Sequence, residues 1–313
     1  MIIANPIYDV VFKKLMEDER IAKFFIGTLL NEIVEEVQVK PQEFTYEGEL
    51  AAIDNPAVQS AVERRIIERL SISVYRVDFI ATIRTETGEY KKVLIEIQKA
   101  KNPIDVIRFR NYLGEHYRRQ DEINTANGKQ KVALPIVTIY LLGFSLSGIE
   151  SAAVKVNRAY IDLLTQEVIQ QKSDFIEKLT HDSYVVQMPR IQAKFQTRLE
   201  KLLSVFEQNY FVDEQGIIKE YHHAIDDESI KNMIEILHHA GTDPQQKKKI
   251  EAEQEAYRVL DLAVREKTEE LKGLIQEKDK ALEEKDKALE EQRRILEEKD
   301  RLIAALLKKQ NEH

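Results

Sequence analysis

Several residue types are absent or scarce in this chain of 313 residues, and each shortage excludes a class of protein. The absence of cysteine excludes disulfides and thiolate metal sites, and it agrees with a reducing, cytoplasmic setting. With no tryptophan and no regular spacing of other aromatics, stacking on single-stranded nucleic acid has little support. Only ten glycines are present, and the chain contains no P-loop, dinucleotide-binding glycine pattern or nucleophile elbow.

Long hydrophobic runs are also missing. No apolar run approaches the ~20 residues of a membrane span, and the N-terminus lacks the basic-then-apolar layout of a signal peptide. We therefore expect a soluble, cytoplasmic protein with no membrane partner. The formal net charge of −8 argues against nucleic-acid binding through bulk electrostatics alone.

The most informative segment, residues 75–99, predicts a β-hairpin with an acid on each arm. The loop between the two apolar-rich arms contains the glycine that a tight hairpin favours. If the hairpin is centred on Thr87, Asp78 lies directly opposite Glu96. Their Cβ atoms are then roughly 4.5–5.5 Å apart, a distance at which like charges destabilise the pair.

The two faces of this hairpin differ in character. One face is apolar throughout, with Val77, Phe79, Ala81, Ile83, Val93, Ile95 and Ile97. The other carries both acids, and Gln98 follows Glu96 on the same side. A divalent cation such as Mg²⁺, which binds carboxylate oxygens and water, explains this pairing of acids. The alternative is that the three polar side chains solvate an exposed sheet face, with Arg76 and Lys92 balancing their charge.

A basic stripe lies next to these acids. Residues 91–119 contain eight lysines and arginines against three acids, although the whole chain is acidic. Positive charge beside a metal centre suits the phosphate backbone of a nucleic acid. The other interpretation is a solvated helix face.

The remaining pattern alternates between helical and extended segments. Helical spacing begins at Asn5-Pro6 and breaks near residues 17–19, and a strand is indicated at 34–39. A helix over Pro103–Arg119 is expected to bury Val106, Phe109, Leu113 and Tyr117. It precedes the apolar run Lys131–Leu142, which is typical of a strand buried on both faces and implies parallel pairing in the sheet.

From Gln245 onward the sequence is helical in pattern and highly charged. A repeat of seven residues places apolar side chains in one register, at Ile275, Leu282, Leu289, Leu296 and Ile303. With these residues at position d, position a is mostly aspartate, which makes a poor coiled-coil seam. The tail is either a solvated charged helix or a weakly associating one, and the seven-residue regularity favours self-association or docking of a partner helix through residues 250–313.

Three stretches of this chain resemble the PD-(D/E)XK nuclease superfamily, and more narrowly its transposase and Rpn-type recombination-promoting members. They are the opening helix Tyr8–Leu15, Asp78 followed by Ile95–Gln98, and Arg108–Leu113 leading to Leu134–Ile139. The resemblance covers about residues 5–145, with an extension to about 210. It implies an α/β fold with a restriction-endonuclease-like core, in which helices flank a mixed β-sheet.

The resemblance also implies Mg²⁺-dependent hydrolysis of DNA, with Mn²⁺ as an alternative metal. Asp78 and Glu96 would be the metal ligands, and Gln98 takes the place of the usual lysine. Glutamine can hydrogen bond, but it cannot offer lysine's positive charge to the phosphorane. Asp9, in the first helix, is a candidate further acid.

We therefore expect a metal-dependent DNA endonuclease with an appended helical tail. The basic residues expected to hold the DNA backbone are Lys99, Lys101, Arg108 and Arg110. The predicted division is a nuclease-like domain at 1–210, a helical extension at 211–245 and a long charged helix at 246–313. The alternative function is a catalytically weak or inactive nuclease fold that serves as a binding or assembly module through its tail. A third is RNA as the substrate.

Overall fold

The computed structural model of this chain describes residues 1–40, 79–99, 105–125, 128–192 and 196–310. These residues form two separately packed units, Met1–Ala256 and Tyr257–His313. Among the described helices, none is both long enough and apolar enough to cross a bilayer.

The first unit contains both helices and strands. The helices are α1 (Asp9–Glu17), α2 (Glu19–Leu30), α3 (Asp105–Arg118), α4 (Asp174–Leu179), α5 (Arg198–Ser204), α6 (Glu228–Thr242) and α7 (Pro244–Gln310). The strands are β1 (Ile2–Ala4), β2 (Val34–Lys40), β3 (Phe79–Thr85), β4 (Tyr90–Gln98), β5 (Asp121–Thr125), β6 (Gly128–Val132), β7 (Ile136–Leu142), β8 (Ala153–Val156), β9 (Tyr160–Ile161), β10 (Val168–Ile169), β11 (His181–Gln187) and β12 (Ile218–Glu220).

A six-stranded mixed sheet organises the first unit, in the order β2-β3-β4-β7-β11-β8. Strand β7 pairs in parallel with both β4 and β11, and the other neighbours are antiparallel. The parallel pairing expected from a helix before a buried strand is therefore confirmed, because α3 lies between β4 and β7 in the chain. The mixed sheet with flanking helices confirms the α/β class.

The β3–β4 hairpin has the register predicted from its sequence. Phe79 pairs with Ile95, Ala81 with Val93 and Ile83 with Lys91, as a centre at Thr87 requires. The turn closes at Gly88, whose φ of 82° lies in the left-handed region that favours glycine. The register is thus set by the loop and by the alternation of the two strands.

The apolar face of the sheet packs against α1 and α2. Phe12 of α1 lies at the centre, with ring-centroid distances of 5.3 Å to Phe25 and 5.0 Å to Phe79. Asp18 ends α1 and caps α2, because its carboxylate accepts hydrogen bonds from the backbone N–H groups of Arg20 and Ile21. The predicted break between the first two helices is therefore confirmed.

The predicted start of the first helix is wrong. Helix α1 begins at Asp9 after Tyr8, and Asn5 does not cap it. The Asn5 amide instead donates to Gln208 and to the backbone carbonyl of Gly216, both at 2.9 Å. These two partners lie more than 200 residues away in the chain, which local sequence does not reveal. The side-chain oxygen of Asn5 also accepts a hydrogen bond from the backbone N–H of Ile7 at 3.2 Å.

The predicted buried face of α3 also needs correction. Val106 and Tyr117 are exposed, and Phe109 and Leu113 are half-buried. Among the described side chains of α3, Tyr112 and His116 are the buried ones. The sheet beneath α3 carries polar side chains, so a helix face with a tyrosine and a histidine covers it better than a purely aliphatic one. The apolar run at 131–142 is likewise split, because β6 ends at Val132 and Pro135, which has no N–H group, precedes β7.

Helix α7 contributes its first turns to the first unit. Ile250 is fully buried, and the unit extends to Ala256. Helix α6 ends at Thr242 with Asp243 as its C-cap, and α7 begins at Pro244, the next residue. The boundary between the two packed units therefore falls inside the long helix. The predicted division into a nuclease-like domain, a helical extension and a charged helix stays a prediction.

Candidate functional site

Glu96 and Gln98 lie near the end of β4, a central strand between β3 and β7. Glu96 is 5% exposed and Gln98 is 7% exposed. The alternative in which they solvate an exposed sheet face is therefore wrong. They lie on the side of the sheet opposite the apolar core, because side chains alternate along a strand.

Helix α3 covers this side of the sheet and leaves a small cavity beside Glu96. The cavity has a volume of about 20 Å³, which suits a single water molecule. It is lined by Leu94, Ile95, Glu96, Phe109, Tyr112, Leu113, Thr138 and Tyr140. An acid, two tyrosines and a threonine thus line one small cavity.

Tyr140 is the neighbour of Glu96 across the parallel β4–β7 ladder. Burial raises the pKa of Tyr140, the hydroxyl of Thr138 opposes that shift by hydrogen bonding, and the negative charge of Glu96 adds to it. Thr138 in turn donates to Ser183 at 2.8 Å. The phenol therefore stays protonated near neutral pH and is able to donate a hydrogen bond within the site.

Asp78, the other acid of the predicted pair, lies outside the described residues. The last described pair of the hairpin is Phe79 with Ile95. The opposition of Asp78 and Glu96 stays a prediction.

The donor types near Glu96 suit a hard cation. A carboxylate and an amide oxygen two residues apart on one strand are ligands of the kind that Mg²⁺ accepts. Over the ranges that the structure describes, no three His, Asp or Glu side chains lie close enough to hold a metal ion. The magnesium site stays a prediction, since one of its two expected carboxylates belongs to Asp78.

Lys99 points to the side of the sheet where α1 lies. Its ammonium group is 3.9 Å from the ring centroid of Tyr8, and it also contacts the side-chain oxygen of Gln254 in α7. Burial lowers the pKa of Lys99 to about 8, against the opposing charges of Glu253 and Asp9. These contacts hold Lys99 at the end of β4, and its predicted role on the DNA backbone stays untested.

Asp9 begins α1 on this same side, close to Glu253. The backbone N–H groups of Asp9 and Val10 donate to the Glu253 carboxylate at 2.8 and 3.2 Å. Burial and the charge of Asp9 raise the pKa of Glu253 to about 8. The sequence did not single out Glu253, because nothing distinguishes it from the many other acids of the long charged helix.

Of the other basic residues expected to contact DNA, the structure describes the side chain of Arg110 alone. Arg110 is exposed on α3. The side chain of Arg108 and the whole of Lys101 lie outside what the structure describes. Their binding to a DNA backbone stays a prediction.

A second group of ionisable residues lies under α3, towards the start of β4. Lys92 is 3% exposed and forms an ion pair of 2.5 Å with Asp121 of β5. Burial and the nearby charges of Lys92 and Arg119 lower the pKa of His116 to about 4, whereas Glu115 opposes them. Lys92 is therefore a buried partner of Asp121 and not a surface counter-charge to the predicted acidic pair.

In comparisons with known proteins, no family model, no curated protein and no solved structure matches this chain.

Proposed function

We propose that this protein is a Mg²⁺-dependent endonuclease with a PD-(D/E)XK-type core that hydrolyses DNA phosphodiester bonds, as in transposase and recombination-promoting families. The observation that carries the proposal is the pair Glu96 and Gln98. They are buried side by side at the end of a central strand, on a hairpin whose described register matches the one expected for two facing acids.

Each residue has a defined role in the proposed reaction. Asp78 and Glu96 would hold the metal, with Asp9 as a candidate further acid. When bound, Mg²⁺ or Mn²⁺ supplies Lewis-acid chemistry and lowers the pKa of a coordinated water. Gln98 orients the attacking water or a phosphate oxygen by hydrogen bonding, but it carries no charge.

The surroundings of Glu96 support chemistry at this position. Glu96 is buried, and ionisable groups away from water interact more strongly than they do in water. Positive charge for the phosphate backbone would come from Lys99, Lys101, Arg108 and Arg110. The cavity beside Glu96 is small, so only a water-sized group fits there in the described conformation.

A plasmid-cleavage assay with the full chain tests the proposal. With Mg²⁺ or Mn²⁺ present, we expect Glu96→Gln and Asp78→Asn to lower the cleavage rate by roughly 100-fold or more, because each removes a negatively charged metal ligand. Glu86→Gln, on the exposed hairpin turn, is the matched control and should cleave normally. Thermal melts verify that each variant is folded.

The outcomes separate the alternatives. Intact plasmid under conditions where the wild-type protein binds it would contradict nuclease function on DNA. Cleavage of RNA but not of DNA would identify RNA as the substrate. Full activity in both acid variants would refute the roles of Asp78 and Glu96 but not the nuclease activity itself.

A second candidate function is a binding or assembly module that works through the long helix. The specific observation is that α7 exposes large apolar side chains, among them Leu282 (60%), Leu289 (56%) and Leu296 (59%). Removal of residues 257–313 tests it. Loss of self-association or partner binding, in a protein without nuclease activity, supports this function.

A further inference from the structure

Four of the exposed apolar residues of α7 follow one line along the helix. Ile275, Leu282, Leu289 and Leu296 are 58%, 60%, 56% and 59% exposed and recur every seven residues. Seven residues make almost two helical turns, so these side chains form a single stripe. An apolar stripe of this length is the seam by which a helix docks onto another helix.

The charges beside the stripe decide which heptad position it occupies. With the stripe at d, position g holds Lys278, Lys285 and Lys299, and position e holds Glu283, Glu290 and Glu297. With the stripe at a instead, the g-position lysines would move to position d and lie in the seam. With the stripe at d, every charged side chain lies outside position d, so the stripe is assigned to d.

We propose that the stripe docks against a second copy of this chain, in a parallel and in-register two-helix coiled coil. The proposal rests on the assembly role of the helix and is independent of nuclease activity. In such a pair, g faces e of the next heptad on the other helix, so Lys278 meets Glu283 of the second copy and Lys285 meets its Glu290. An antiparallel pair would bring lysine to lysine and glutamate to glutamate.

Position a limits the strength of this pairing. It holds Asp279, Asp286 and Arg293, which are exposed in the single chain and would face their copies across the seam. Like charges there oppose association, so the apolar d positions and the Lys–Glu pairs together give a weak dimer. The Lys–Glu pairs are exposed to solvent, so salt weakens their attraction, as it also weakens the repulsion at position a.

Exchange of the flanking charges tests the pairing in the full chain. One variant carries Lys278→Glu and Lys285→Glu, and the other carries Glu283→Lys and Glu290→Lys. By sedimentation equilibrium, we expect each alone to self-associate at least about tenfold more weakly than wild type, since g and e then repel. An equimolar mixture should recover association, because every g–e pair is again of opposite charge.

Two controls accompany the charge exchange. Glu277→Lys with Glu284→Lys, on the far face of the helix, should leave association unchanged. Circular dichroism checks helix content, because Glu283 also makes an exposed 3.6 Å ion pair with Lys287 on its own helix. Unchanged association of both exchanged variants would overturn the proposal.

Cysteine cross-linking tests direction and register, and the absence of native cysteine makes an introduced thiol unique. Asp286→Cys, in the seam, should form a disulfide dimer on mild oxidation with diamide, whereas Glu284→Cys, on the far face, should not. A dimer in solution that does not cross-link at 286 would refute the parallel register but keep the assembly role. A monomer at all concentrations would refute both, and the plasmid assay would still decide the nuclease function.

Discussion

At the scale of single residues, the side of the sheet beneath α3 is unusual because ionisable groups are buried there together. Lys92 and Asp121 form an ion pair, His116 is 4% exposed, and Glu96 is nearly as buried. Desolvation of charged groups opposes folding, so a buried layer of this kind is weak evidence for stability. Buried ionisable groups beside a cavity are, however, a frequent property of functional sites.

His116 should make the protein sensitive to acid. Its pKa is about 4 when folded and 6.5 ordinarily, so the unfolded state binds more protons between these values. Stability should therefore fall as pH decreases from 6.5 to 4, by up to roughly 3 kcal/mol. Urea unfolding across this range measures the effect.

His116→Gln provides the comparison for this effect. The free energy of unfolding of this variant should decrease less than that of the wild-type protein as the pH falls from 6.5 to 4. His181, whose pKa is also lowered by burial, remains in both proteins and cancels in the difference. Parallel pH profiles for the two proteins would show that His116 is not the group that titrates.

At the scale of secondary structure elements, the start of α7 joins α1 to the end of β4. Glu253 accepts hydrogen bonds from the first N–H groups of α1, and Gln254 accepts from the hydroxyl of Tyr8 at 2.8 Å. Lys99, directly after β4, contacts the same Gln254 oxygen. One turn of the long helix thus fixes the positions of two elements that carry candidate site residues.

Glu253→Ala should lower the free energy of unfolding by about 1–2 kcal/mol, because it removes the cap of α1. Glu253→Gln keeps one hydrogen-bond acceptor and should lower the free energy of unfolding by less. Glu251→Ala, an exposed acid on the same helix, is the control and should be close to neutral. Equal stability of Glu253→Ala and Glu251→Ala would show that the contact contributes nothing.

At the scale of the whole molecule, the packed unit ends after Ala256 and not at the beginning of α7. The reason is that residues 244–256 bring Ile250, Glu253 and Gln254 into the unit. The remainder of the helix forms the second unit, whose charged repeat is exposed over most of its described side chains.

Two shortened chains should therefore differ in stability. A chain that ends at Ala256 should unfold cooperatively with the stability of the first unit. A chain that ends at Asp243 should lose about 3 kcal/mol or more, since the burial of Ile250 and the contacts of two polar side chains disappear. Thermal and urea unfolding measure this difference, and equal midpoints would contradict the role assigned to residues 244–256.

The sequence by itself determined the features that depend on neighbouring residues. The register of the β3–β4 hairpin follows from strand alternation and a short glycine-containing turn, and the break at Asp18 follows from capping. The alternation of helix and buried strand likewise predicted the parallel pairing of β4 with β7.

Only the tertiary structure decided what surrounds these elements. Alternation placed Glu96 and Gln98 on one face but could not tell whether that face was solvated, because burial depends on the packing of α3. Lys99 has a partner 155 residues away, and Glu253 is 244 residues from the helix that it caps. Such contacts follow from how separate elements pack together, and no local period in the sequence encodes them.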